Sequence, residues 1–166
     1  PAPPPHFGPP LRRGRRGAET AMEVEYDLKE STIAGLGLFA KARIPKGTLL
    51  WKYSEKSVRI FSSAEEVRLT LEERSAEDGT HFLEHVYCWE GKVCEILNDG
   101  RFWNHSKQPN TGSLPEDEAS SWSLRDIEAG EEFLDDYSQH DMLDWFEAIC
   151  KEHAVSSSSK VGVDFE

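Results

Sequence analysis

The 166-residue chain predicts a mostly β domain of short strands with a few peripheral helices. Three observations point that way. Most segments with a periodic pattern are short and strand-like, only two stretches carry a firm helical signature, and neither βαβ alternation nor an internal repeat occurs.

Taken in order, the chain opens on PAPPPHFGPPLRRGRRG, which is proline, glycine and arginine with almost nothing to bury. Such a run cannot offset the entropy of ordering, so residues 1–21 are expected to form a disordered leader. Because residue 1 is proline, the expectation is a fragment or an upstream extension, with Met22 the candidate start. An acid-free, arginine-bearing leader also resembles a transit peptide, but it is short of serine. VEYDLKE, residues 24–30, alternates as a strand does, and GTLLWKY, residues 47–53, is rich in aliphatic and aromatic side chains. Ser63 and Glu66 form a capping box that opens one helix through VRLTLEERSAED, with Val67, Leu71 and Arg74 at helical spacing. HVYCWEGKVCEIL, residues 85–97, reads as a hairpin about Gly91. SWSLRDI and EEFLDDY are two more strands joined by a turn at Ala129 and Gly130. A second helix, about 140–153, puts Met142, Phe146, Ile149 and His153 on one stripe flanked by Leu143, Trp145 and Cys150. Residues 155–166 read as a tail, so the folded unit is expected over residues 22–154.

The formal charge is −12, yet residues 1–17 hold four arginines and no acid, which leaves −16 on the remaining 149. Nucleic acid is a poor direct partner for so acidic a body, whereas a lysine-rich protein tail would be steered toward it. The same acidity also serves solubility alone. No apolar stretch approaches the roughly 20 residues needed to cross a bilayer, so no membrane span is expected. Cys88, Cys94 and Cys150 are an odd number at spacings that match no zinc signature. They read as reduced thiols of an intracellular protein, nuclear or cytoplasmic, with organelle import left open.

GLGLFA, residues 35–40, fits the G-x-G-x-x-A dinucleotide fingerprint, which requires a helix to start inside the motif. KARIPKG follows at once, and Pro45 with Gly47 stops any helix after a single turn. What remains is a strand, a Gly35-Leu36-Gly37 turn and a further strand entered through Phe39. RFWNHSKQPN, residues 101–110, is too polar for a core strand and too aromatic for a solvated loop.

In order along the chain, STIAGLGLFAKARIPKGTLL, GRFWNHSKQPN and IEAGEEFLDDY resemble the SET domain of protein lysine methyltransferases over about residues 24–137. The family's Gly-x-Gly-Leu-Phe-Ala turn stands at Gly35 to Ala40, followed by Ile44 and Gly47. Its Arg-Phe-x-Asn-His-Ser-x-x-Pro-Asn block stands at Arg101 to Asn110, and its Gly-Glu-Glu-Leu-x-x-Asp-Tyr at Gly130 to Tyr137 with Phe133 for the leucine. The resemblance implies a β-clip-like fold with a threaded pseudoknot held open by Pro109, and a C-terminal helix. It implies S-adenosylmethionine as cofactor, bound by Asn104 and His105 and by the backbone of Gly35, Leu36 and Gly37. It implies methyl transfer to a lysine side chain of a histone or other lysine-rich protein, with Tyr137 orienting the amine and Tyr87 as a second channel tyrosine. Core packing is an equally open reading of Tyr87. Trp103 reads as hydrophobic filler.

The chain also departs from the pattern. Lys107 stands where the family has a zinc-binding cysteine, and only Cys150 follows, so no metal is expected. Trp145 or Phe146 on the C-terminal helix would then cover the cofactor, although the same stripe suits a helix packed on a core. These departures keep a second function open, a SET-like binding or scaffold module without transfer. The target protein, the degree of methylation and the oligomeric state are not legible.

Overall fold

A computed structural model describes residues 21–158; the expected leader, apart from Ala21, and residues 159–166 of the expected tail lie outside them. Ten short strands and three helices build the described part. β1 (Tyr26–Glu30) pairs antiparallel with β2 (Leu36–Ala40). β3 (Leu49–Trp51) pairs with β9 (Asp117–Ser123), which also pairs with β8 (Thr111–Leu114). β4 (Val58–Phe61) and β5 (Val86–Trp89) flank β6 (Lys92–Ile96). β7 (Asn104–His105) and β10 (Leu134–Asp135) form the one parallel pair among the described strands.

The hairpin expected about Gly91 is β5–β6, and it divides the core. Successive side chains of a strand point to opposite faces. Val86, Cys88 and Val93 therefore enter one apolar cluster with Phe61, Val67, Phe82, Leu83, Phe146, Ile149 and Cys150. Tyr87, Trp89 and Cys94 face the other, with Leu38, Leu50, Trp51, Phe102, Ile127 and Phe133. The turn has φ of +49° at Glu90 and +74° at Gly91, the two left-handed residues that a tight hairpin matching the strand twist requires.

The first helix breaks in two. α1 spans Ala64–Glu72 and α2 spans Ala76–His85, because Ser75 starts a second cap, its hydroxyl oxygen accepting the Asp78 N–H. Gly79 sits inside α2 where an added Cβ would lie 3.2 Å from Leu71 Cδ2, so glycine lets the two helices approach. The C-terminal helix, α3, is also shorter than the stripe predicted and spans Asp144–Glu152. Met142 is exposed and His153 caps the end, while Phe146, Ile149 and Cys150 are buried. Residues 155–158, expected to open the tail, are packed instead. Val155 lies on the second cluster, Ser158 Oγ donates to Val86 O at 3.1 Å, and the Ser157 hydroxyl donates to Glu147.

SWSLRDI and EEFLDDY do not pair with each other. Ile127 bridges Ile44, Glu132 bridges Phe39, and residues 134–135 join β7. On one side the segment 132–135 is bonded to residues 104–106, with Ser106 N–H donating to Asp135 O at 2.9 Å. On the other it is bonded to residues 110–111: Asn110 N–H and Thr111 Oγ donate to Leu134 O at 3.2 and 2.8 Å. Both ends of the Asn110 side chain also grip it, Nδ2 donating to Glu132 O at 2.7 Å and Oδ1 accepting from Leu134 N–H at 2.8 Å. The later segment thus passes through the loop 104–111, an exception to the usual absence of threaded loops.

Candidate active site

Threading brings three distant stretches together. The Asn104 side chain, 8% exposed, donates through Nδ2 to Ala34 O at 3.2 Å, Leu36 O at 3.1 Å and Glu132 Oε1 at 2.7 Å. One amide thereby joins the glycine turn, β7 and the threaded segment. Ser31 Oγ donates to the other Glu132 oxygen at 3.0 Å and closes the group.

The glycines serve different ends. Gly35 has φ +46° with open space where a Cβ would stand, so the backbone conformation is what favours glycine there. Gly37 lies within β2 rather than in the turn, and a Cβ on it would come 2.0 Å from Glu132 Oε1 and 3.2 Å from Asn104 Nδ2. Its small size makes room for the Asn104–Glu132 bond.

Tyr137 begins a 3-10 turn immediately after the threaded segment. Its N–H donates to His105 Nδ1 at 3.0 Å, and its hydroxyl donates to the carbonyl of Trp103. The phenol is thus fixed one residue from Asn104. Burial, then the carboxylates of Asp135 and Glu132, push its pKa well above the usual phenol value, so it stays protonated. Tyr87 is likewise raised, by burial and then by the Cys94 thiol beside it. Between the two lies His140, its ring centroid 5.2 Å from Tyr137 and 5.3 Å from Tyr87. Burial lowers the His140 pKa to about 4, with Asp136 opposing, so the wall is aromatic and uncharged at neutral pH.

These groups line a cavity of about 1380 Å³ that includes Gly35, Leu36, Asn104, Tyr87, Tyr137 and His140. A family model of the SET domain matches residues 35–138, well over half of the chain. The chain belongs to the SET-domain family.

Among curated proteins, this SET domain is 28% identical over 143 residues to a "Variant-silencing SET domain-containing protein" of Plasmodium falciparum (isolate 3D7). The match covers 76% of this chain and 5% of that protein, so the chain spans a small part of its relative. Among solved structures, it is similar to a chain of "ctPRC2 in complex with H3K27me3 and H3K27M". The TM-score is 0.51 with 21% identity, over 69% of this chain and 14% of the other, which supports the fold. The methyltransferase domain of human "Histone-lysine N-methyltransferase SETMAR" is a looser likeness, TM-score 0.49 and 22% identity over 71% of this chain and 46% of the other.

Of the residues named from sequence, Gly35, Leu36, Asn104, Tyr87 and Tyr137 meet at the cavity of this SET domain. Gly37 and His105 stand just behind it, the first accommodating Glu132 and the second holding the Tyr137 backbone. Trp145 and Phe146 are not among the lining residues. Phe146 is fully buried in the second apolar cluster with Trp145 packed against it, so the helix serves as core and the lid expectation is corrected. Trp103, read as filler, is buried, its ring stacking on Phe133 at 5.5 Å and its Nε1 donating to Thr111 Oγ1 at 2.8 Å, but it also lines the cavity. Sequence reasoning missed His140. The available signal was Asp136-x-Ser138, a side-chain cap that turns the chain back after Tyr137. Asp141 then pins the loop to β5, its N–H donating to Cys88 O at 3.0 Å.

Proposed function

We propose that this SET domain transfers a methyl group from S-adenosylmethionine to a lysine side chain of a basic protein, a histone tail or another lysine-rich segment. One observation carries the reading: the Tyr137 phenol is held on the Trp103 carbonyl, beside Asn104 and the Gly35 turn, in a cavity that Tyr87 also lines. The residues present fit such a cofactor. The cavity exceeds the roughly 300–1,000 Å³ of ordinary ligand pockets, leaving room for both a donor and an amine. Its walls near Asn104 include Ala34 and Leu36, whose backbone carbonyls suit an ammonium and a sulfonium. Among the charged lining residues, Glu84, Glu90, Glu116, Asp117, Glu118, Asp135 and Asp136 outnumber Lys92 and Arg101, a balance that favours a cationic substrate.

When bound, the cofactor would supply an electrophilic methyl group on a positive sulfur. The protein's part is to align and dry the amine. Only about one lysine in a thousand is neutral at pH 7, and a water-poor aromatic site disfavours the ammonium. Tyr87, His140 and Tyr137 provide that wall. The Tyr137 hydroxyl donates its hydrogen bond to Trp103 O, so its oxygen lone pairs remain to receive an N–H and aim the nitrogen lone pair. With its pKa raised, the phenol acts as an orienting group rather than as a base.

The test is transfer of labelled methyl groups from S-adenosylmethionine to a panel of lysine-rich proteins that includes mixed core histones. Label should appear on lysine, and Tyr137→Phe should lower the rate about 100-fold, the scale seen when one positioned polar group is removed, with cofactor affinity kept. Cofactor binding with no transfer across the panel would favour the binding-module reading.

A further inference from the structure

We propose that Asp135 is the anionic subsite that captures the ammonium of the incoming lysine and takes its proton. The inference rests on the methyltransferase reading and deepens it. Asp135 lines the same cavity as Tyr137 and Asn104, and its charge acts on the Tyr137 phenol. It ends β10, where pairing with His105 and the Ser106 N–H bond to its carbonyl fix the backbone. Its carboxylate accepts the Asp136 N–H through Oδ1 at 2.8 Å, which orients the group.

No cation offsets this carboxylate among the described residues. The groups acting on it are burial, the Asp136 N–H and the Asp136 carboxylate. The other ionisable groups nearby are Tyr137 and Glu132 on its own segment, His105 on the paired strand, and Tyr87 and His140 in the same cavity. A carboxylate in that setting gains most from a mobile positive partner, and the lysine ammonium is the positive group this cavity is proposed to admit. Burial raises the Asp135 pKa to about 6, which narrows the gap to a lysine roughly 100-fold relative to an ordinary aspartate. In the proton step, one Nζ–H bond breaks and its electron pair stays on nitrogen as the attacking lone pair. The proton forms an O–H bond on the Asp135 carboxylate, and two charges become none in a water-poor site.

The test uses n-butylammonium, which carries the four-carbon chain of lysine, titrated into the full chain with S-adenosylhomocysteine bound and followed by NMR shifts. Wild-type affinity should fall about tenfold per pH unit below pH 6 as the carboxyl protonates. Asp135→Asn, which keeps the shape and the acceptor for the Asp136 N–H, should lose at least tenfold at pH 7.5. Affinity unchanged within twofold in that variant, or a flat wild-type pH profile, overturns the proposal. With mixed core histones as substrate, Asp135→Asn should move the rate–pH profile at least one unit alkaline; superimposable profiles overturn the proton step. Failure of wild type to bind S-adenosylhomocysteine would instead sink the methyltransferase reading, and Asp135-dependent butylammonium binding would still support the subsite.

Discussion

Asn110 decides whether the threaded crossing holds. It is 1% exposed, and both ends of its side chain grip the segment that passes through the loop, at Glu132 O and Leu134 N–H. Alanine would remove both bonds and leave a buried carbonyl and a buried N–H without those partners. Each unsatisfied buried group costs about 1–3 kcal/mol, so Asn110→Ala should lose about 2–5 kcal/mol, above the average of about 1 for a single substitution. In a domain of this size each kcal/mol lowers Tm by about 2–4 °C, which predicts a fall of about 5–20 °C. Asn110→Asp is the informative companion. It keeps an acceptor for Leu134 N–H but sets a carboxylate against the Glu132 carbonyl, so it should be at least as damaging. Urea and thermal unfolding measure both variants, and hydrogen exchange at the Leu134 amide reports the local effect. An Asn110→Ala protein within about 0.5 kcal/mol of wild type would refute the reasoning, because the crossing would then be held by something other than this amide.

Gly37→Ala should push Glu132 off Asn104 and weaken S-adenosylhomocysteine binding about tenfold, read by calorimetry, since the Cβ would stand 2.0 Å from Glu132 Oε1. Trp145→Ala should leave that affinity within twofold; a tenfold loss would return the indole to the cofactor site. His140 has a folded pKa of about 4 against about 6.5 unfolded, so the unfolded chain binds the extra proton between those values. Its contribution is complete above about pH 6.5 and is lost as pH falls toward 4, with a slope of up to about 1.4 kcal/mol per pH unit. His140→Phe should flatten the urea-denaturation stability of the protein over that window by about that slope, and an unchanged slope would count against a neutral, buried imidazole.

What the sequence made legible was local. Gly91 between alternating residues named the β5–β6 hairpin, and Ser63 with Glu66 named the start of α1, because each signal sits beside the structure it causes. The break before α2 was also locally encoded, in Ser75 and Asp78, but Gly79 hid it: a glycine that reads as a helix breaker is there for a close approach to Leu71. Periodicity on α3 identified a buried face but not its partner, and Phe146 faces the second cluster instead of the cavity. The premature start given to that helix has a related cause. His140 and Asp141 are committed to Tyr137 and to the Cys88 carbonyl, contacts with no helical period. The motif blocks located Asn104 and Tyr137, whereas Gly37's partner Glu132 and the aromatic link through His140 needed coordinates.

The way the site is assembled limits where its chemistry can be altered. Tyr137 is aimed by a carbonyl and an imidazole of residues 103 and 105, and Asn104 between them ties the glycine turn to Glu132. Asn104 and His105 also make the parallel pairing that carries the threaded crossing, with Trp103 directly before them. A change there alters topology and phenol position together, so activity lost by such a variant cannot be separated from lost stability. The lining contributed by β5 and by the loop at His140 is different. Tyr87 and His140 touch the cavity, yet the first stands on a regular hairpin and the second on a loop pinned by Asp141 to that hairpin. The cavity lining is therefore adjustable at residues 87 and 140 with the crossing intact, whereas residues 103–105 and 110 hold the crossing and the position of the Tyr137 phenol.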